Sequence, residues 1–218
     1  MAATHTSIER IGIDESGKGD YFGPLVIAAV FVDAVTQSEL TLMRVRDSKK
    51  ISDGRILEMA PDIRSICPHS IVAIGPQKYN ELYAKIKNLN RLLAWGHARA
   101  LENLLDKVSC GRAIADQFGD KRLILNALQA KGRTIALEQR PKAESDMAVA
   151  AASILARAEF LIRLKRLSEE VGTTLPKGAS AAVELAARMV MKKHGQERLG
   201  HVAKLHFKTT QAVLAGLA

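Results

Sequence analysis

The stretch from Ile8 to Val32 limits what this chain can fold into more than any other. Two strand-like segments, Ile8 to Ile13 and the apolar Leu25 to Val32, flank a polar segment, ESGKGDYFGP, punctuated by Gly and Pro. The second run, LVIAAVFV, is rich in β-branched residues, so both runs read as strands joined by a turn. Two adjacent acids, Asp14 and Glu15, stand at the end of the first strand. Strand geometry sends consecutive side chains to opposite faces, and the turn that follows can bend both back toward one place. Adjacent carboxylates repel each other. A divalent cation offsets that repulsion, and magnesium, a hard ion, binds through one or two protein carboxylates plus waters and phosphate. An isolated Asp-Glu pair is nevertheless more often a solvated turn than a ligand set.

The remaining pattern is mixed. Ser38 to Arg46 reads as a short helix and Ser70 to Gly75 as a strand. Tyr79 to Val108 carries leucines at helical spacing, among them Leu89, Leu92, Leu93, Leu101, Leu104 and Leu105. Arg112 to Ala115 reads as a short strand, Arg122 to Gly132 as a helix, and Thr134 to Glu138 as the last strand. Met147 to Val171 is a long helix with a small-residue start, Pro176 breaks the pattern, and Ala181 to His194 resumes it. Strands, then strands with helices, then helices describe an α/β core with a helical C-terminal part. A length of 218 residues suits one domain, with the core over about residues 8–170 and the helical part over 171–218.

Acids recur at comparable places. Asp116 follows the apolar Ala113-Ile114-Ala115, and Glu144 precedes the helix that opens at Met147. Functional groups collect at strand ends in open α/β folds, and four carboxylates can hold two cations about 4 Å apart, the arrangement for in-line phosphodiester cleavage. No serine or cysteine stands in an evident nucleophile pairing with histidine, which favours direct attack by water. Gly17-Lys18-Gly19 follows the acids directly. Its glycines allow close backbone approach to a phosphate or a ribose hydroxyl, although an ordinary flexible turn has the same composition. It is not a P-loop, because G-x-x-x-x-G-K-[ST] is absent. Asp47-Ser48-Lys49-Lys50 offers a hydroxyl and two cations suited to backbone phosphates.

Charge supports a polyanionic partner. Lys and Arg number 32 against 23 Asp and Glu, a net charge of +9. Aromatic residues make up only 4%, which disfavours a single-strand binder built on base stacking. The six histidines are scattered and the two cysteines, Cys67 and Cys110, form no C-x-x-C pair, so zinc is not expected. His97, inside the central helical stretch, reads as a packed histidine. No run approaches the roughly 18 apolar residues of a membrane span, and the polar start, Met1 to Arg10, lacks the apolar heart of a secretory signal. A reducing cytoplasm fits.

Several of these segments, in order, resemble the type 2 ribonucleases H. They are IGIDESGKGDYFGPLVIAAVFVD, DSKKIS (Asp47 to Ser52), KYNELYAKIKNLNRLLAWGHA (Lys78 to Ala98), ADQF (Ala115 to Phe118), KAESDMAVAAASILAR (Lys142 to Arg157), LPKGAS (Leu175 to Ser180) and LHFKTTQ (Leu205 to Gln211). The form ESGKGDYFGPL is similar to ribonuclease HIII rather than ribonuclease HII. The resemblance spans about residues 8–215. It implies a ribonuclease H-like fold, a mixed central sheet flanked by helices with a helical C-terminal extension. It also implies cleavage of the RNA strand of RNA–DNA hybrids by a monomer that uses two divalent ions, Mg2+ or Mn2+, and leaves 5′-phosphate and 3′-hydroxyl ends. It carries the family's four metal-binding acids onto Asp14, Glu15, Asp116 and Glu144. Asp146 becomes the fourth if the loop register slips. By the same resemblance Gly17, Lys18 and Gly19 read the 2′-hydroxyl, and Ser48 and Lys49 meet phosphate.

Two departures follow from the resemblance. Ribonuclease HIII usually carries an N-terminal substrate-binding domain of TATA-box-binding-protein-like fold, and only thirteen residues precede Asp14 here, so a catalytic domain without it is expected. In ribonuclease HII a tyrosine of the C-terminal part serves cleavage beside a lone ribonucleotide. The three tyrosines here, Tyr21, Tyr79 and Tyr83, all precede Asp116. Continuous hybrids are therefore the expected substrate. A ribonuclease HII-like activity on single ribonucleotides, a DNA endonuclease on the same fold and a non-catalytic nucleic-acid-binding module are the competing readings.

Overall fold

A computed structural model describes residues 8–117, 119–120, 122–128 and 132–215. Five strands form one mixed sheet in the order β3-β2-β1-β4-β5: β1 (Arg10–Ser16), β2 (Leu25–Val32), β3 (His69–Ile74), β4 (Arg112–Asp116) and β5 (Ala136–Arg140). The first three are antiparallel neighbours, while β1, β4 and β5 run parallel. Alternation in β2 assigns its two faces. Val26, Ala28, Val30 and Val32 enter the core shared with α1 (Ala34–Leu42), α2 (Asp53–Ile66), α6 (Met147–Val171) and α7 (Ala181–Val202). Leu25, Ile27 and Ala29 enter the opposite core, with α3 (Pro76–Ile86), α4 (Leu89–Leu105) and α5 (Arg122–Ala127). The last helix, α8 (Lys208–Ala215), follows α7. The expected mixed sheet with flanking helices and a helical C-terminal part is what forms.

The differences have local causes. Helix α1 begins four residues before the expected Ser38 because Asp33 and Thr36 make a reciprocal capping box. It stops at Leu42, ahead of Arg44 in the left-handed region at φ 57°. The helix expected over Tyr79 to Val108 is two helices. Lys87, at φ 50°, ends α3, and the Asn88 side chain caps α4 by accepting from the Arg91 N–H. Helix α2 was not expected: Pro61 lies inside it, although Ile56, Met59, Ala60 and Ile63 bury one face at helical spacing. The helix expected to end at His194 continues to Val202 across a kink at Gly195 (φ 81°). Of the helix expected over Arg122 to Gly132, residues 129–131 lie outside the described residues, as does Phe118.

Helix α6 makes a very close backbone approach to the sheet. It opens on buried alanines at 148, 150, 151, 152, 156 and 158, and these let its backbone settle directly on β1. A Cβ added at Gly12 would stand 2.1 Å from the Ala148 carbonyl carbon and 2.2 Å from the Val149 nitrogen. Those are backbone atoms that cannot rotate away. Gly12→Ala should therefore destabilise the protein by about 3 kcal/mol, the upper end of overpacking costs, lowering the melting midpoint by roughly 10 °C on the scale of a chain this size. Thermal unfolding followed by circular dichroism checks this.

Candidate active site

Asp14 and Glu15 lie within β1, opposite Ala28 and Ile27 of β2. Strand β1 runs on to Ser16, so the turn does not bend the two acids together, contrary to the sequence expectation. They stay on opposite faces, at the C-terminal end of the central strand. Asp14 shares the Gly12 face, toward α6. Glu15 shares the face of Ile11 and Ile13, toward α4. The Glu15 N–H donates to Asp14 Oδ1 at 2.8 Å.

Asp116 ends β4. The parallel register pairs Ile13 with Ala115, which brings Asp116 beside Asp14. Its Oδ1 accepts from the Ala143 N–H at 3.3 Å. Ala143 opens the 3-10 turn Ala143–Ser145, which carries Glu144. Asp14, Glu15 and Asp116 therefore gather at one end of the sheet, and Glu144 stands on the turn next to the residue that Asp116 bonds. They do not close into a finished shell: among the described residues no three His, Cys, Asp or Glu side chains form a ready-made metal cluster. Glu144 instead lines a cleft of about 490 Å³ with Arg46, Asp47, Lys50, Lys142 and Ser145. Asp146 has other commitments. Its Oδ1 caps α6 by accepting from the Ala148 N–H at 2.8 Å, and its Oδ2 accepts from Arg10 Nε at 2.7 Å.

The two β1 acids differ electrostatically. Burial holds the Asp14 carboxyl well above the usual carboxylate range, and the Glu15 charge pushes it further. The Glu15 amide and Lys49 pull back only in part, and Asp116 adds to the push. Burial also raises Glu15, but a hydrogen bond from His97, with the charges of His97, Lys18 and Lys49, outweighs it and leaves Glu15 lowered. His97, on α4, is fully buried, and its Nε2 lies 3.0 Å from Glu15 Oε2. Lys18 Nζ lies 3.7 Å from Glu15 Oε1. Asp14 is thus a partly buried carboxylate whose neighbours are chiefly other carboxylates. Hard oxygen donors whose ionised form the protein alone disfavours fit a divalent cation, which would stabilise that form.

The substrate-side residues divide. Gly17 adopts φ 88°, and a Cβ there would meet the Pro24 carbonyl oxygen at 2.1 Å, so the fold itself requires glycine. A Cβ at Gly19 would meet nothing within 4 Å. No protein contact demands glycine there, and the open space is on offer to a ligand. Lys49 is exposed, and its charge reaches both Asp14 and Glu15. Ser48 is buried, and its N–H donates to Ser153 Oγ of α6 at 3.1 Å. That bond anchors the loop. The sequence reading treated His97 only as a packed residue, because nothing local links it to an acid 82 positions away.

The chain matches the family model "Ribonuclease HII" over residues 11–210. It is 50% identical to ribonuclease HIII of Protochlamydia amoebophila over 205 residues, covering 94% of this chain and 68% of that protein. It is 45% identical to ribonuclease HIII of Chlamydia pneumoniae over 221 residues, covering 98% of this chain and 74% of that one. The crystal structure of Bst-RNase HIII in complex with Mn2+ superposes with a TM-score of 0.89 at 38% identity, over 96% of this chain and 70% of that chain. Aquifex aeolicus RNase H3 gives 0.75 at 28% identity, over 91% and 72%. The chain belongs to the ribonuclease HII family and, within it, groups with the ribonucleases HIII.

Proposed function

We propose that this chain is an endoribonuclease that hydrolyses the RNA strand of RNA–DNA hybrids, with Asp14, Glu15, Asp116 and Glu144 holding two Mg2+ or Mn2+ ions. The observation that carries the reading is Asp14 beside Asp116 at the ends of parallel strands, where burial and a neighbouring carboxylate disfavour the ionised form that a divalent cation would stabilise. Bound there, divalent ions supply an activated water and offset charge on the leaving 3′ oxygen, leaving 5′-phosphate and 3′-hydroxyl ends. His97 keeps Glu15 ionised and fixes its orientation. Glu144 serves in preference to Asp146, whose oxygens are taken up by the α6 cap and Arg10. The Gly17-Lys18-Gly19 backbone meets the ribose 2′-hydroxyl, the group that separates RNA from DNA, while Lys49 draws a backbone phosphate toward the acids.

Both cysteines are free thiols, which suits a reducing cytoplasm, and among the described residues no helix is long and apolar enough to cross a membrane. One observation favours the alternative of cutting at lone ribonucleotides. Tyr83 of α3 stacks on His206, with ring centroids 4.2 Å apart, so a tyrosine does reach the C-terminal part in space.

Initial rates on matched RNA–DNA, DNA–DNA and RNA–RNA duplexes, and on a DNA duplex with one ribonucleotide, decide between these readings. The continuous hybrid should be cut efficiently, the lone-ribonucleotide duplex poorly and the other two not at all. Equal rates on the first two would favour the alternative. Asp116→Asn should keep the circular dichroism spectrum and lower turnover by about a hundredfold or more, the scale of losing one transition-state-stabilising group. Near-wild-type turnover at saturating magnesium would remove Asp116 from the site.

The two glycines provide a second test. Gly19→Ala should leave the melting midpoint within about 1 °C, as surface changes do, yet weaken hybrid binding, measured by fluorescence anisotropy. Gly17→Ala should lower stability by about 2 kcal/mol or more through backbone strain and the clash with Pro24.

A further inference from the structure

Lys204 is fully buried, an unusual position for a lysine. It follows α7, and its Nζ donates to the Asp20 carbonyl at 2.7 Å and lies 3.5 Å from the Phe22 carbonyl. Both acceptors are neutral backbone groups. Burial pushes the ammonium down to about 7 against the opposing pull of Asp20, a sign of how much the position disfavours charge. An apolar side chain would satisfy the packing at less cost. What a lysine adds is reach: a donor at the end of a long stem that meets two carbonyls of the turn between β1 and β2.

That turn needs external support. It bends through two positive-φ glycines, Gly17 at 88° and Gly23 at 82°, and the Asp20 N–H to Gly17 carbonyl bond within it is 3.4 Å long. The C-terminal part supplies the support. The Lys204 N–H donates to the Tyr21 carbonyl at 2.8 Å, and the Gly23 N–H donates to the Val202 carbonyl at 2.9 Å. The Tyr21 N–H donates to the Gly178 carbonyl at 2.9 Å, and the Gly178 N–H to Asp20 Oδ1 at 2.7 Å. Tyr21 Oη and Thr210 Oγ1 are 3.1 Å apart. Lys204 is the side chain that ties this arrangement from inside.

We infer that Lys204 is a positioning residue for substrate recognition, holding the turn through the Asp20 and Phe22 carbonyls in the shape in which Gly17-Lys18-Gly19 meets the ribose. The inference rests on the reading above that this turn distinguishes RNA from DNA. A loop fixed beforehand loses less entropy on binding, so the anchor improves affinity for the ligand that the loop reads. Phosphate attraction through Lys49 does not depend on the anchor.

Lys204→Met keeps the length and removes the donor, and Lys204→Gln keeps a donor with shorter reach. A labelled RNA–DNA hybrid and a DNA duplex of the same sequence, titrated with Ca2+ in place of Mg2+, give the discrimination ratio. Amide hydrogen exchange reads residues 17–24 directly. In Lys204→Met the hybrid should bind about tenfold more weakly, the usual scale for losing preorganisation at one contact, while the DNA duplex changes little. Exchange should quicken over residues 17–24 and stay unchanged in α4, and Lys204→Gln should fall between. A folded Lys204→Met with the wild-type ratio overturns the inference. So does failure of both variants to fold, which would make Lys204 a residue of global stability. A wild-type protein with no preference for the hybrid overturns the reading of the turn itself, and this inference with it.

Discussion

Placing carboxylates on consecutive, partly buried residues of one strand is unfavourable, and the structure relieves only half of it. Glu15 is compensated by His97 and Lys18. Asp14 is not: burial and the Glu15 charge hold its carboxyl well above the usual range, and the Glu15 amide and Lys49 only partly offset them. Opposite sheet faces impose this asymmetry. The α4 face offers a buried histidine to Glu15, whereas on the α6 face the basic residue nearest in the strand, Arg10, is engaged by Asp146 and not by Asp14. The ionised form of Asp14 is what a divalent ion would stabilise.

The elements that would handle substrate are fixed from different directions. The loop at Ser48 and Lys49 is fastened to α6 through Ser153, the same helix that Asp146 caps beside Glu144. The glycine turn is fastened to the far C-terminal part through Lys204, Val202 and Gly178. The C-terminal helices are therefore not a passive extension of the sheet domain. They determine the shape of a turn that begins right after the acids, about 180 residues earlier in the chain.

Much of this was legible in the sequence where a residue's meaning is local. Asp14, Glu15 and Asp116 announce themselves because each ends a short apolar run, and the parallel register then brings Asp116 beside Asp14. The strands were readable from alternation and β-branching, with errors of a few residues at their ends. Glu144 stands out by its place ahead of the Met147 helix, but preferring it to Asp146 required the family resemblance, since a polar loop offers no periodicity to fix the register. Pairings across the chain were not legible. His97 reads as a core histidine until β1 lies against α4, and nothing in the sequence singles out Lys204 until the turn folds over it. The break between α3 and α4 depends on Lys87 adopting a left-handed conformation, which propensity does not foretell. Ser48 shows the converse. Its hydroxyl was read as a phosphate contact, whereas the bond the fold displays is from its backbone N–H to Ser153 Oγ.

The central claim is that Asp14 carries charge the protein leaves for a cation to neutralise, and the melting midpoint tests it without any need for turnover. Asp14→Asn removes that charge while its Oδ1 can still accept from the Glu15 N–H. In metal-free buffer the variant should melt above the wild type. Added Mn2+ should raise the wild-type midpoint, as any ligand of the native state does, and should raise that of the variant far less. A variant that melts below the wild type without metal, and still gains the full shift with Mn2+, would contradict the account.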